Sequence, residues 1–227
     1  VSYRQPIDGY RTGIEPVLLA ASVPARSGQR VVEAGTGAGA GLLCLLARVA
    51  GLSAIGIERD ADMAALARRN LADNAMGNAC VETADITSWR ADGPIDHAFA
   101  NPPWHEAAGT PSPDRKREAA KRGQPGLLED WVAALASSLR PRGTLSLILP
   151  ARALAQGIAA LDTARCPEIT VLPLWPRQSE AAKLVILRGV RLGGGPCTMH
   201  PGLVLHEAGG AYTEAAQAIL RHGKNLA

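Results

Sequence analysis

The chain has 227 residues, of which 47% are hydrophobic and 20% charged, with a net charge of +3. These figures describe an ordinary globular chain, and the slight basic excess is compatible with a polyanionic partner without requiring one. No run of 18 apolar residues is free of charge and glycine, which excludes a membrane-spanning helix, and no signal peptide is read.

A single Phe leaves core filling to aliphatic side chains and alanine. The four cysteines, Cys44, Cys80, Cys166 and Cys197, form no Cys-x-x-Cys pair. That argues against zinc and redox roles, and for small buried hydrophobes in a reduced, cytoplasmic protein.

Strands and helices are predicted to alternate. Arg30 to Ala34 reads as a strand entering a glycine-rich turn, followed by a helix over Ala40 to Val49. Ser53 to Glu58 is the second strand, and Asp60 is the expected N-cap of a helix reaching Ala75. Ala79 to Thr83 and Ile95 to Ala100 are strands three and four, and Leu127 to Leu139 is a helix carrying Trp131. Leu145 to Leu149, Glu168 to Pro173 and Ala182 to Val190 complete seven strands, with a helix over Arg152 to Ala164. Such alternation predicts an α/β, Rossmann-like, mostly parallel sheet with helices on both faces. The link between the last two strands is too short for a parallel crossover, so they are expected to be antiparallel. A tail from Gly193 is predicted to hold a strand over Leu203 to His206 and a helix over Thr213 to Leu220.

The loop Glu33-Ala34-Gly35-Thr36-Gly37-Ala38-Gly39 lets the backbone turn sharply and approach a ligand. With Ala40 it also fits a dinucleotide fingerprint, so the glycines do not separate NAD(P) from S-adenosylmethionine. Glu33 favours the latter, since a carboxylate there suits a cationic amino-acid moiety and repels a pyrophosphate. Glu58 ends strand two, where it can hold ribose hydroxyls of either cofactor, or stand as a solvated strand end. Asp85 follows strand three and can accept from an adenine amine, or simply cap a turn.

Asn101-Pro102-Pro103-Trp104 ends strand four, the side of an open α/β sheet where ligands bind. Asn101 Oδ1 and the Pro102 carbonyl can both accept from one planar NH2 group, and Trp104 offers a face for the ring that carries it. The plain alternative is a rigid turn set by two prolines. The polar stretch His105 to Gly126 is long for a compact domain and holds Arg115, Lys116, Arg117, Lys121 and Arg122. These suit phosphate contacts, with a solvated helix face as the alternative. Arg4 and Arg11 can extend the same basic rim. Pro103 and His105 are candidate substrate contacts. His200 and His206 have no partner spacing for a metal, and no metal is expected.

The constellation from Arg30 to about Val190 resembles class I S-adenosylmethionine-dependent methyltransferases. The resemblance implies that Glu33, Gly35, Gly37, Gly39, Glu58 and Asp85 bind S-adenosylmethionine. It makes 1–192 the methyltransferase domain and 193–227 an extension packed on it. The Asn-Pro-Pro-aromatic motif resembles that of amino-methylating members, and a finer likeness is to the tRNA1(Val) adenine-N6 methyltransferase family. Four segments carry it: Arg11 to Leu19, Thr83 to Trp89, Asn101 to Trp104, and Tyr212-Thr213-Glu214. That family usually has Tyr where this chain has Trp104, which keeps stacking but lacks the hydroxyl. The resemblance implies N6-methylation of an adenine in tRNA near the anticodon, with Asn101, Pro102 and Trp104 catalytic. A protein glutamine acceptor, a dehydrogenase and a non-catalytic RNA-binding relative are the alternatives, and oligomeric state is left open.

Overall fold

The computed structural model describes residues 1–7, 12–103 and 126–226. Trp104, His105, Arg115, Lys116, Arg117, Lys121, Arg122 and Arg11 lie outside the described residues.

Among the described residues, nine strands form one sheet: β1 (Arg30–Ala34), β2 (Ser53–Glu58), β3 (Ala79–Thr83), β4 (Ile95–Ala100), β5 (Leu139–Pro150), β6 (Glu168–Trp175), β7 (Leu184–Val190), β8 (Thr198–Met199) and β9 (Leu203–Val204). Their order is β3-β2-β1-β4-β5-β7-β6-β8, with β9 also on β6. Every described pairing is parallel except those of β7, which runs antiparallel to both β5 and β6. The mostly parallel α/β sheet and its late antiparallel strand are as expected, but there are nine strands where seven were expected. The two extra are the two-residue strands β8 and β9: Thr198–Met199 carries no strand pattern in sequence, and the strand expected over Leu203 to His206 belongs to the tail.

Among the described residues, six helices cover the sheet: α1 (Glu15–Ser22), α2 (Ala40–Arg48), α3 (Ala61–Asp73), α4 (Leu127–Ser138), α5 (Leu154–Thr163) and α6 (Glu214–His222). Strand residues alternate between two buried clusters. Val31, Ala54, Val81 and Phe99 pack under α1, α2, α3 and α6. Val32, Ile55, Ala98 and Leu147 pack under α4 and α5. Period-two alternation on a sheet covered on both faces requires this division. Each fully buried aliphatic side chain contributes roughly 1.5–3 kcal/mol through loss of water contact.

Local chemistry sets the boundaries. Asp60 caps α3 as expected, its carboxylate accepting from the Asp62 and Met63 N–H groups at 2.9 and 3.1 Å. β5 begins at Leu139 rather than near Leu145, because a bulge absorbs Pro141 and Gly143, with Arg142 at φ 66°. The helix expected over Arg152 to Ala164 opens as a single 3-10 turn, Ala151–Ala153, and becomes α5 at Leu154. The tail lies against the rest of the fold: β8 and β9 pair with β6, and the Leu226 N–H donates to the Ala21 carbonyl at 2.9 Å. At the far margin the Arg68 guanidinium donates to the Val81 carbonyl of β3 at 2.9 Å and to the Thr83 hydroxyl. Cys166 is buried as expected, whereas Cys80 and Cys197 are exposed on the surface.

His97 on β4 is 6% exposed. Gln29 Oε1 accepts from the Arg26 backbone N–H at 2.7 Å, which identifies it as the oxygen. It also lies 3.0 Å from His97 Nε2, so Nε2 carries the ring proton and Nδ1 accepts from the Thr144 hydroxyl at 2.8 Å. Burial pushes the imidazole down to about 4. The unfolded chain, with His near 6.5, therefore binds the proton first as pH falls. The expected outcome is a melting temperature that declines as pH drops from about 6.5 towards 4, with a shallower decline in His97→Gln. Thermal melts of both proteins across that range measure the difference.

Candidate active site

The strand order reverses between β1 and β4, so the chain leaves this pair of neighbours in opposite directions. Their register pairs Ala34 with Ala100. Gly35 and Asn101 are the next residues on each, so the glycine loop and the Asn-Pro-Pro segment open side by side at the C-terminal rim. The same register pairs Ala34 with Ile57 and Glu58 with Thr83. Reading across the sheet from β3, the rim therefore presents Asp85, Glu58, Gly35 and Asn101 in that order. Neighbouring strands are about 4.8 Å apart, so the row spans roughly 14 Å.

The loop conformation depends on glycine. Gly35, Gly37 and Gly39 have φ of 65°, 55° and 87°, in the left-handed region that side chains disfavour. The Gly35 and Thr36 N–H groups both donate to the Ile57 carbonyl, at 2.8 and 3.1 Å, which ties the loop to β2. A Cβ at Gly35 would lie 2.7 Å from Trp131 Cη2. Half-buried Trp131, from α4, thus closes over the first loop glycine. The sequence shows Trp131 only as part of a helix, since its nearness to Gly35 arises from packing across β1 and β4.

Glu33 is 5% exposed and turned inward. Its Oε2 accepts from the Thr36 hydroxyl at 2.5 Å and from the Leu42 N–H at 3.0 Å. A Cβ at Gly41 would clash with Oε1 and crowd the Phe99 ring at 3.3 Å, so glycine here leaves room for the carboxyl as it lies. Burial raises the group to about 8, against the lowering effect of its two hydrogen bonds. Below that pH it is mainly protonated, so in this conformation it braces the loop instead of setting a negative charge at the mouth.

Glu58 is half-buried at the end of β2. Its Oε2 accepts from the Gly37 N–H and its Oε1 from the Asp60 N–H, both at 2.9 Å. A carboxylate has about four acceptor positions, so both oxygens keep capacity for hydroxyl donors. Asp85 is exposed, and its Oδ1 accepts from the Thr87 hydroxyl at 2.7 Å and the Thr87 N–H at 2.9 Å. Those bonds, the hydroxyl first, hold its carboxyl below the usual range. The turn-capping alternative is therefore present in the structure, and Asp85 stands ionised at the β3 end of the row.

Asn101 and Pro103 are half-buried and Pro102 is buried. Arg4 does not extend a free basic rim, because its Nε donates to Asp73 Oδ2 at 2.7 Å. Glu15, in the Arg11 to Leu19 segment, carries a buried Oε2 that has no hydrogen-bond partner among the described residues. Such an acceptor is a place for an incoming donor.

The positive-φ loop, the hydroxyl-ready Glu58 and the ionised Asp85 suit a ligand with an amino-acid end, a ribose and an adenine. The tRNA1(Val) (adenine(37)-N6)-methyltransferase of Enterobacter sp. (strain 638) is 30% identical over 147 residues, 62% of this chain and 58% of that protein. The chain thus spans less than two thirds of that relative's length. The enzyme of the same name from Aeromonas hydrophila subsp. hydrophila is 29% identical over 213 residues, 90% of this chain and 86% of that one. Among solved structures, a predicted O-methyltransferase of Agrobacterium tumefaciens matches with a TM-score of 0.76 at 26% identity, covering 93% of this chain and 97% of that one. The family model described as the methyltransferase small domain matches residues 14–149, more than half of the chain and every strand of the rim row. The chain belongs to the methyltransferase small domain family, and its cofactor is S-adenosylmethionine.

Proposed function

We propose that this methyltransferase acts on the N6 amine of an adenine in RNA, and that the RNA is a tRNA modified near the anticodon. The observation that carries the reading is the register of β1 with β4, which opens Asn101 beside Gly35. An acceptor held by the Asn-Pro-Pro segment then adjoins a donor held by the glycine loop. The names of the Enterobacter and Aeromonas relatives support an RNA acceptor. An O-methyl acceptor, as in the name of the Agrobacterium neighbour, has no NH2 group for the pair of acceptors to grip.

Bound S-adenosylmethionine supplies an electrophilic methyl on a positively charged sulfur. Glu58 is proposed to hold the ribose hydroxyls, Asp85 the adenine amine, and Gly35, Gly37 and Gly39 the close backbone approach. Glu33 holds the loop in shape and ionises if the amino-acid ammonium reaches it. Asn101 Oδ1 and the Pro102 carbonyl accept the two N–H bonds of the target amine. Its lone pair is otherwise delocalised into the ring, and this grip favours a pyramidal nitrogen that can attack in line, the N–C bond forming as the C–S bond breaks and one N–H proton then leaving to water. Holding the reacting atoms in that geometry can be worth up to about 7–11 kcal/mol. Trp104 would stack on the base, with Pro103, His105, Arg115, Lys116 and Arg117 towards the nucleic acid. The target base must leave its stack, which costs least in a single-stranded loop.

Incubation with methyl-labelled S-adenosylmethionine and tRNA, followed by nucleoside analysis, should yield N6-methyladenosine. Label in a protein glutamine instead would establish the second acceptor class. Asn101→Ala should lower turnover on the order of a hundredfold or more, in line with loss of one catalytic hydrogen bond. Its calorimetric affinity for S-adenosylmethionine should be unchanged. Gly35→Ala forces a left-handed residue against Trp131, so it should lose roughly 1–2 kcal/mol of stability and bind cofactor more weakly. Adding Trp131→Leu should recover part of both. Glu33→Gln removes a group whose folded value exceeds its unfolded one, and such a group stabilises at low pH and loses that effect as pH rises from 4.5 to about 8. The variant should therefore melt higher than the parent at pH 8, with the gap closing towards pH 5.

A further inference from the structure

The tail carries a ring pair that no step above uses. His206 and Tyr212 stack with centroids 4.6 Å apart and planes 25° from parallel. Both are half-exposed, and Tyr212 packs against the core cluster beneath α1 and α6, which leaves His206 as the outer ring. The pair is rigidly built. A bridge joins His206 to Tyr212, and the turn between them closes through Glu207 N–H to Ala211 carbonyl at 2.8 Å and Gly210 N–H to Glu207 carbonyl at 2.9 Å. His206 Nδ1 lies 3.1 Å from the Gly210 carbonyl, which only accepts, so Nδ1 carries the proton.

Sheet register places this hairpin on the same rim as Asn101. Ala100 pairs with Leu147, so Asn101 is level with Ile148, and Ile148, Ile186 and Leu172 are partners across β5, β7 and β6. β9 lies beyond β6, pairing Val204 with Trp175, and the His206 N–H donates to the Pro176 carbonyl at 3.0 Å. Four strand spacings put the ring pair about 20 Å across from Asn101, and four residues of β6 raise it about 13 Å beyond the rim. It forms a wall beside the acceptor end of the site.

Among the described residues, the charges around it nearly cancel. In the turn 176–183, Arg177 donates to Glu180 at 2.6 Å and Lys183 lies close by, while the hairpin adds Glu207 and α6 adds Glu214. Glu180 is held below the usual carboxylate range by Arg177 first, and also by Lys183 and His206, which places all three near it. Such a patch does not concentrate phosphate. What it offers is ring area, already ordered, and every base has a face that can use it.

We propose that the His206–Tyr212 pair is a stacking platform for an unpaired base of the RNA substrate, away from the target adenine. Combined with the rise, the separation is about 24 Å, on the order of seven stacked nucleotides, fewer if the strand is extended. The proposal rests on the RNA reading given above, and it makes the tail a substrate-binding element.

The test compares wild type, His206→Asn and His206→Phe on a synthetic anticodon stem-loop. Asn keeps an N–H donor for the Gly210 carbonyl and removes the ring; Phe keeps a ring and removes the donor. His206→Asn should raise the dissociation constant and KM for RNA roughly tenfold, the loss of one stacked base. Its kcat at saturation, S-adenosylmethionine affinity and melting temperature should be unchanged. Stacking releases no counterions, so the slope of log K against log salt should match wild type. His206→Phe should restore binding. Equal RNA affinity in His206→Asn and wild type would overturn the platform, as would a His206→Phe variant as weak as His206→Asn, or a changed salt slope. Wild type that neither binds nor methylates RNA would instead overturn the proposed function, and the platform with it.

Discussion

Parallel hydrogen bonding between β1 and β4 brings two chain segments, 66 residues apart in sequence, to the same level of one rim, with Ala34 opposite Ala100. One continues as a loop of left-handed glycines, the other as Asn101-Pro102-Pro103. Neither segment is a site alone. A slip of one residue would turn every β1 side chain to the other face, so the buried alternation of Val31 and Val32 also fixes where the loop emerges. Core packing and site geometry are thus one constraint.

Glu33 shows how tightly the two are joined. It lies on the α2 face of β1 and is enclosed by the Thr36 hydroxyl, the Leu42 N–H and the space that Gly41 leaves open. A buried acid of this kind is costly when ionised and inexpensive when protonated and hydrogen-bonded. Its neutral form braces the first turn of α2 from inside. The loop is then shaped before any ligand arrives, so little ordering remains for binding to oppose.

Much of this was legible in the residues. β1 to β4 are short apolar runs bounded by turn formers, and Asp60 announces α3 by its capping chemistry. The row of Asp85, Glu58, Gly35 and Asn101 follows from placing each at a strand end. What stayed hidden depends on tertiary packing. α1 is buried between helix and sheet, so its Leu-Leu-Ala-Ala run has no polar face to reveal a period. The bulge in β5 reads as a turn because Pro141 and Gly143 occupy it. The inward aim of Glu33 follows from its sharing a face with Val31, but its two partners are visible only once the loop is closed. Trp131 reaches Gly35 from another element altogether.

The lateral margins of the sheet have a further consequence. On one side β8 and β9 are only two residues each and lie end to end along β6, too short to template a foreign strand. On the other, Arg68 occupies the Val81 carbonyl of β3, an acceptor that another chain could otherwise bond. Both flanks are blunted by means that proteins use against runaway β-pairing. The same sheet that presents the candidate site at one rim is thereby discouraged from polymerising sideways.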